Sequence, residues 1–369
     1  MSTGSTTVDT NSIAVDLTWM DLLRGIAIIG VIFDNWTGYM ELKTTPAVLY
    51  SLARLFALAV GPFVQVFFIL SGFGLTVAYL HSRADWSWKR WAWRRTTKIV
   101  IPYVIVVILS FVLGIVGSWL YPPLDMQFSG KSLLAYLTFT RNFYAPSWAW
   151  NPPLWFMPVI IGLYASFPVL IKVLERWGPW VLLLVSALVT YGTITIADLA
   201  GVAGSHGADL FSFWMLQFSL GILLAYVRDS CPRKMNKLIG LRAFCLGSGI
   251  FAFSWGLRTY LPAARVYNDV FTTIGIFLVL LNLCWTSRLL IPVTGKVLCA
   301  LSSRSYFIYL IHYPIMAFLI GPPIRVPTNA IVVIILGGVY IACMFLVSHF
   351  ISQPINKLTS WLYQKYSSS

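Results

Sequence analysis

The sequence predicts an all-α, polytopic membrane protein, a bundle of about ten transmembrane helices. Three observations predict it. The 369 residues are 58% hydrophobic and only 10% charged, with a mean hydropathy of +0.78. Soluble domains carry about 25% charged residues, so lipid is the solvent this composition implies. Ten windows offer the roughly 20 mainly apolar residues that a helix needs to cross a bilayer. Finally, the basic residues divide unevenly between the two sides those windows define.

The elements follow in chain order. Residues 1–17 are polar, with Asp9 the one charge among the first 15 and no small-residue cleavage site after them. They read as a disordered cytoplasmic tail. The apolar windows then fall at about 19–39, 56–80, 98–120, 154–174, 179–199, 209–227, 241–260, 268–286, 303–321 and 328–352. Breakers mark the junctions: Tyr121-Pro122-Pro123, Asn151-Pro152-Pro153, Trp177-Gly178-Pro179 and Gly321-Pro322-Pro323. Residues 18–353 form one transmembrane domain, and 354–369 a cytoplasmic C-terminal tail.

An even number of crossings puts both termini on one side. With that side cytoplasmic, it receives 19 of the 26 basic residues. Two dense clusters dominate: Arg83, Lys89, Arg90, Arg94, Arg95 and Lys98, then Arg228, Arg233, Lys234, Lys237 and Arg242. The outer side keeps Lys43, Arg54, Lys131, Arg141, Arg258, Arg265 and Arg325. The formal charge of +14 is thus explained by topology and anionic headgroups, not by nucleic acid. The five cysteines are scattered and show no C-x-x-C spacing, so neither a disulfide framework nor a zinc site is expected. There is no G-x-S-x-G, no phosphate-cradling loop and no H-E-x-x-H. The 12 acidic residues lie mostly at window ends, which argues against several intramembrane carboxylates coupling transport to cations.

Polar residues inside lipid cost free energy and default to functional hypotheses. The first window carries Arg24, Asp34 and Asn35. Arg24 and Asn35 are 11 residues apart, almost three whole turns, so they share a face about 16 Å apart along the axis. Asp34 lies about 100° round from that stripe. Two readings stand: a polar stripe along the bundle interior, or a snorkelling arginine below and polar caps above. In the second window, Ser71-Gly72 is small enough for close helix contact. The ninth places His312 near mid-membrane, one turn beyond Tyr309, as a hydrogen-bonded core residue or a catalyst. Pro314 frees the carbonyl of Leu310, which a hydroxyl or ring nitrogen can occupy. His81 and His349 sit near cytoplasmic helix ends, and His206 in a Gly-rich outer loop. The outer loop at about 121–153 is rich in aromatics, either an interfacial anchor or a sugar-stacking surface.

Four segments in order resemble the acyltransferase-3 family of integral membrane O-acyltransferases, in its exopolysaccharide and surface-glycan branch. They are Leu22-Leu23-Arg24-Gly25-Ile26-Ala27, FFILSGF at 67–73, LWFMPVIIGLY at 154–164 and SYFIYLIHYPI at 305–315. The resemblance implies transfer of an acetyl or other short acyl group from a cytoplasmic donor, usually acyl-CoA, to a sugar hydroxyl of a glycan or lipid-linked glycan. It implies a multi-pass protein of the bacterial inner membrane, touching membrane lipids, with acyl-CoA as co-substrate and no tightly bound cofactor or metal. Arg24 matches the family's first-helix arginine and would hold the donor's anionic groups, with Ser71 beside it. The family's essential histidine position is Asn35 here. A neutral amide cannot act as a general base, so Asp34 or His312 would take that role around Asn35. Trp155 and Tyr309 would contact the acceptor. The alternatives are a family relative without transfer, or a transporter of a lipid-linked glycan or acyl-bearing substrate.

Overall fold

Helices account for nearly all the residues that the computed structural model describes: 17–40, 60–120, 128–143, 150–201, 210–261, 265–290, 292–319 and 330–367. No strand occurs among them. In order they are α1 (Thr18–Met40), α2 (Phe63–His81), α3 (Trp88–Arg95), α4 (Ile101–Leu120), α5 (Gly130–Leu137), α6 (Phe156–Leu199), α7 (Met215–Ser230), α8 (Pro232–Met235), α9 (Leu241–Tyr260), α10 (Arg265–Leu290), α11 (Pro292–Leu319) and α12 (Ala330–Ser367). A π-helical turn at Thr96–Val100 welds α3 to α4. Residues 56–59, the start of the second window, lie outside the described set, as does His206.

The 44 residues of α6 are two helices in one run. Gly178 inside it takes φ 85° and ψ 176°, a left-handed-region backbone that glycine tolerates without a Cβ clash. Pro179 follows directly, so the sixth helix breaks at the junction its breakers mark. Below the break, Arg83 pairs with Glu175 at 2.7 Å and the Tyr79 hydroxyl donates to the same carboxylate at 2.8 Å. That knot ties the end of α2 to the end of α6's first half.

Six described helical runs are long and apolar enough to cross a membrane, or seven if the bent pair Pro232–Leu238 and Leu241–Tyr260 is one span. That count takes Pro152–Leu199, with its break, as a single run. It also omits α1 and α11, whose Arg24, Asp34, Lys296 and Arg304 dilute otherwise apolar helices. Every predicted window lies on a helix where it is described, while the figure of ten crossings remains an expectation of the patterning.

Close backbone contacts build the bundle. A Cβ on Gly25 would stand 2.3 Å from the Leu298 carbonyl oxygen, so α1 lies directly on α11. Gly72 meets the Phe218 carbonyl oxygen and Gly221 that of Ile69, where added Cβ atoms would stand at 2.1 and 2.0 Å. Small residues that let helices approach drive association where lipid offers no hydrophobic gain. Ser71 is beside this α2–α7 seam and half-buried, and Gly72 makes the contact. Around these seams lie two apolar cores, one centred on α6 with α2, α7 and α11, the other on α1, α2 and α10.

Candidate functional site

The polar residues of α1 fall into two layers. In the layer at the start of α1, expected on the inner side, Arg24 Nη1 lies 3.3 Å from Asp21 Oδ1, and the same carboxylate oxygen accepts from the Ser302 hydroxyl at 2.9 Å. The guanidinium also lies against Gly74, where a Cβ would stand 3.4 Å from Nη2. Ser71 is three residues back along α2 from Gly74, about 4.5 Å of helix rise away. The side chain of Arg24 remains one-third exposed, so it is buttressed without being sealed.

Beside it stands a second guanidinium that the sequence reading assigned to topology alone. Arg95 closes α3, with its guanidinium carbon 5.8 Å from the centroid of the Tyr164 ring and its Nε buried without a hydrogen-bond partner. The positive charges of Arg24 and Arg94 act on it. The π turn begins at the next residue, and the Tyr306 hydroxyl of α11 donates to its Ile99 carbonyl at 2.6 Å. π turns recur at functional sites because they re-aim side chains that a regular helix would place elsewhere. Two guanidinia whose charges act on one another suit phosphate. The missed signal was this RRTTK run ending inside an apolar window, not in a loop.

In the layer at the end of α1, expected on the outer side, His312 is fully buried. Its Nδ1 is 2.7 Å from the carbonyl oxygen of Tyr309, which can only accept. Nδ1 therefore carries the proton in the neutral ring, and Nε2, which has no partner, carries the lone pair. The ring nitrogen thus takes the Tyr309 carbonyl, not that of Leu310 which Pro314 frees. The Tyr340 hydroxyl donates to the His312 carbonyl, and the Tyr340 ring stacks on Trp36 at 5.1 Å. Through that stack His312 lies level with the Asp34–Trp36 end of α1.

Asn35 is half-buried, and its amide donates to the Val31 carbonyl at 2.8 Å, one turn back on its own helix. Asp34 is half-buried too, and its backbone carbonyl accepts from Thr37 Oγ1 at 3.0 Å. Tyr309 is buried and donates its hydroxyl to the Pro153 carbonyl. Its ring packs edge-on against Phe156, which stacks on Phe68 at 5.1 Å. Trp155 packs on Trp214 at 5.8 Å, and its carbonyl accepts from Asn142 Nδ2 at 2.9 Å. Arg24 and Ser71 thus share one end of the bundle, and His312, Tyr309 and Trp155 the other, with this aromatic stack between them.

One part of the outer layer escaped the sequence reading. Arg141 is 5% exposed, donates from Nη1 to the Pro152 carbonyl at 2.6 Å, and lies 5.2 Å from the Tyr136 ring centroid. Tyr136, on α5, donates to the Asn151 carbonyl at 3.0 Å and accepts the Asn151 amide at 3.3 Å. Burial pushes the Tyr136 hydroxyl up to about 12, so it remains a donor at any ordinary pH.

Fold and site together define a multi-pass helical membrane protein with a basic end and, across the bundle from it, a buried polar-aromatic end. The chain belongs to the acyltransferase family, whose model, described as "Acyltransferase domain", matches residues 17–349, nearly its whole length. No curated protein and no solved structure matches it.

Proposed function

We propose that the protein transfers a short acyl group, acetyl in the simplest case, from cytoplasmic acyl-CoA to a sugar hydroxyl of a surface glycan or its lipid-linked precursor. The setting is a bacterial inner membrane, with ten crossings and both termini cytoplasmic. Arg24 and Arg95 hold the donor's phosphates, with Ser71 one turn away. Trp155 and Tyr309 frame the acceptor. His312 Nε2 takes the proton from the acceptor hydroxyl. The acceptor oxygen attacks the thioester carbon, the C–S bond breaks, and the proton on His312 passes to the departing thiolate.

The observation that carries this reading is the spacing of the two layers. Gly25 rests on Leu298, and Trp36 reaches His312 through Tyr340. By helix rise those levels are about 16–21 Å apart, a distance comparable to an extended pantetheine arm. Phosphates at the inner guanidinia would therefore leave the thioester beside His312. The match of nearly the whole chain to an acyltransferase family supports the reaction class.

The competing reading, a family relative without transfer, draws on Asn35, whose amide is engaged by its own helix where the family carries a histidine. One experiment separates the two. Membranes containing the protein are incubated with labelled acetyl-CoA, and the glycan and lipid-linked glycan fractions are counted. Label that depends on Arg24 supports transfer, and unlabelled glycan with wild-type protein rejects it.

A further inference from the structure

Among the described residues Arg141 is a buried cation without a counter-charge, paired with no carboxylate. Burying a charge is tolerated when it is paired, so an unpaired one marks a place where a partner arrives. Besides the Arg141 Nε, Asn151 Nδ2 and Trp150 Nε1 are buried without hydrogen-bond partners. The residues carrying these three donors share one wall, the Tyr136 ring. Trp150 packs on that ring at 4.4 Å, Arg141 lies 5.2 Å from its centroid, and the Asn151 backbone is bonded to its hydroxyl. A cluster of donors lacking acceptors is complementary to a ligand rich in acceptor oxygens.

The cluster adjoins the proposed chemistry. Arg141 holds the Pro152 carbonyl, and Tyr309 holds the next one, Pro153. Tyr309 in turn presents its own carbonyl to His312. A group bound at Arg141 would therefore be anchored through two consecutive carbonyls to the helix turn that carries the proton acceptor. Simple structural stapling explains Nη1 on Pro152, but it leaves three buried donors idle.

We infer that Arg141, with Trp150 and Asn151, forms an anion subsite that selects acceptor saccharides bearing a carboxylate or a phosphate. This deepens the acyl-transfer reading and rests on it for the word acceptor. The binding itself does not require transfer.

The test uses the whole protein in nanodiscs of phosphatidylcholine, a lipid with no net charge, titrated calorimetrically with glucuronate, glucose 6-phosphate and glucose. One of the two anionic sugars should bind about tenfold or more tighter than glucose, the usual worth of one charged hydrogen bond. Whichever does so identifies the anion as carboxylate or phosphate. Arg141→Gln should abolish that preference. Arg141→Lys should retain part of it, because it keeps charge without the planar fork. Equal affinity for all three sugars in the wild type, or an undiminished preference in Arg141→Gln, overturns the proposal. Circular dichroism and thermal melting check that Arg141→Gln is folded; if it is not, the wild-type comparison and Arg141→Lys decide. Anionic preference without label transfer from acetyl-CoA would sink the acyl-transfer reading while leaving the subsite standing.

Discussion

His312 Nδ1 lies 2.7 Å from the Tyr309 carbonyl oxygen, and this single contact fixes which ring nitrogen can accept a proton. Nε2 is left buried and without a hydrogen-bond partner. His312→Gln should lower acyl transfer by about 10²–10⁴-fold, the usual contribution of a positioned proton acceptor. The KM for acyl-CoA should stay near wild type, because the site proposed for the donor's phosphates lies at the other layer. Tyr340→Phe removes only the hydroxyl that holds the His312 carbonyl, and should give a smaller loss of the same kind. Transfer in His312→Gln equal to wild type would move the base elsewhere.

Arg24→Ala should raise the KM for acyl-CoA about tenfold or more, again the worth of a charged hydrogen bond. Arg24→Lys should recover little of it, since an ammonium cannot fork onto phosphate. Arg95→Ala should resemble Arg24→Ala, and the pair together should fall short of the sum, as neighbours sharing one ligand do. Protein level in the membrane decides the matter. Arg24 is one-third exposed and close to Asp21, so its loss should leave the fold intact. Disappearance of the mutant protein would make Arg24 a structural residue.

Much of this arrangement was legible in the sequence because lipid makes polar residues conspicuous. Arg24 and His312 stood out against apolar runs, and Trp177-Gly178-Pro179 announced the break in α6. The family resemblance also came through, since its four motifs lie in the helices that touch. Arg95 was not legible as a site residue: at the edge of a basic cluster, charge patterning assigns it to headgroups. Only the π turn and the Tyr164 ring show where its side chain goes. Arg141 was hidden for the opposite reason. It belongs to a loop, where an arginine is unremarkable, and its burial depends on Tyr136 and Pro152 meeting in three dimensions. The link from Trp36 through Tyr340 to His312 spans the first and last helices, a relation no local pattern encodes.

Glycine positions give a stability test independent of catalysis. Gly72→Ala and Gly221→Ala each drive a Cβ into a facing carbonyl oxygen, at 2.1 and 2.0 Å. Each should destabilise the α2–α7 seam by about 1–3 kcal/mol, the cost of overpacking. The measurement is thermal unfolding of the purified protein in detergent. Gly249→Ala meets nothing within 4 Å and serves as the control. Being within α9, it should be neutral or slightly stabilising. Similar melting temperatures for all three variants would mean that the seam is looser than the contacts indicate.

The topology is tested at its two strongest commitments. Reporter domains fused after residues 90 and 235 fall within the densest basic clusters, which the positive-inside rule retains in the cytoplasm. Both fusions should be active only with a cytoplasmic reporter. A fusion near residue 200, beyond the second half of α6, should be active only with an external one if the break at Gly178 separates two crossings. External activity at 90 or 235 would overturn the assignment, and cytoplasmic activity at 200 would remove one crossing pair.

The last prediction concerns the far end of α1, where the family resemblance implies a histidine and this chain has Asn35. Asn35 can orient a hydroxyl but not deprotonate it, and its amide already serves the Val31 carbonyl. Asp34 has the chemistry of a base but stands about 100° off the Arg24 face. His312 has both the lone pair and the level. If His312 is the base, Asp34→Asn should retain most activity, and Asn35→Ala should lose only what positioning contributes. Asn35→His restores the family pattern and brings a second imidazole to the layer His312 occupies. It should be tolerated, and in a His312→Gln background it should recover part of the transfer. Loss of transfer in Asp34→Asn with the protein still folded would hand the role to Asp34. Transfer seen only in Asn35→His, and not in wild type, would mark the chain as an enzyme that lost its base when position 35 changed.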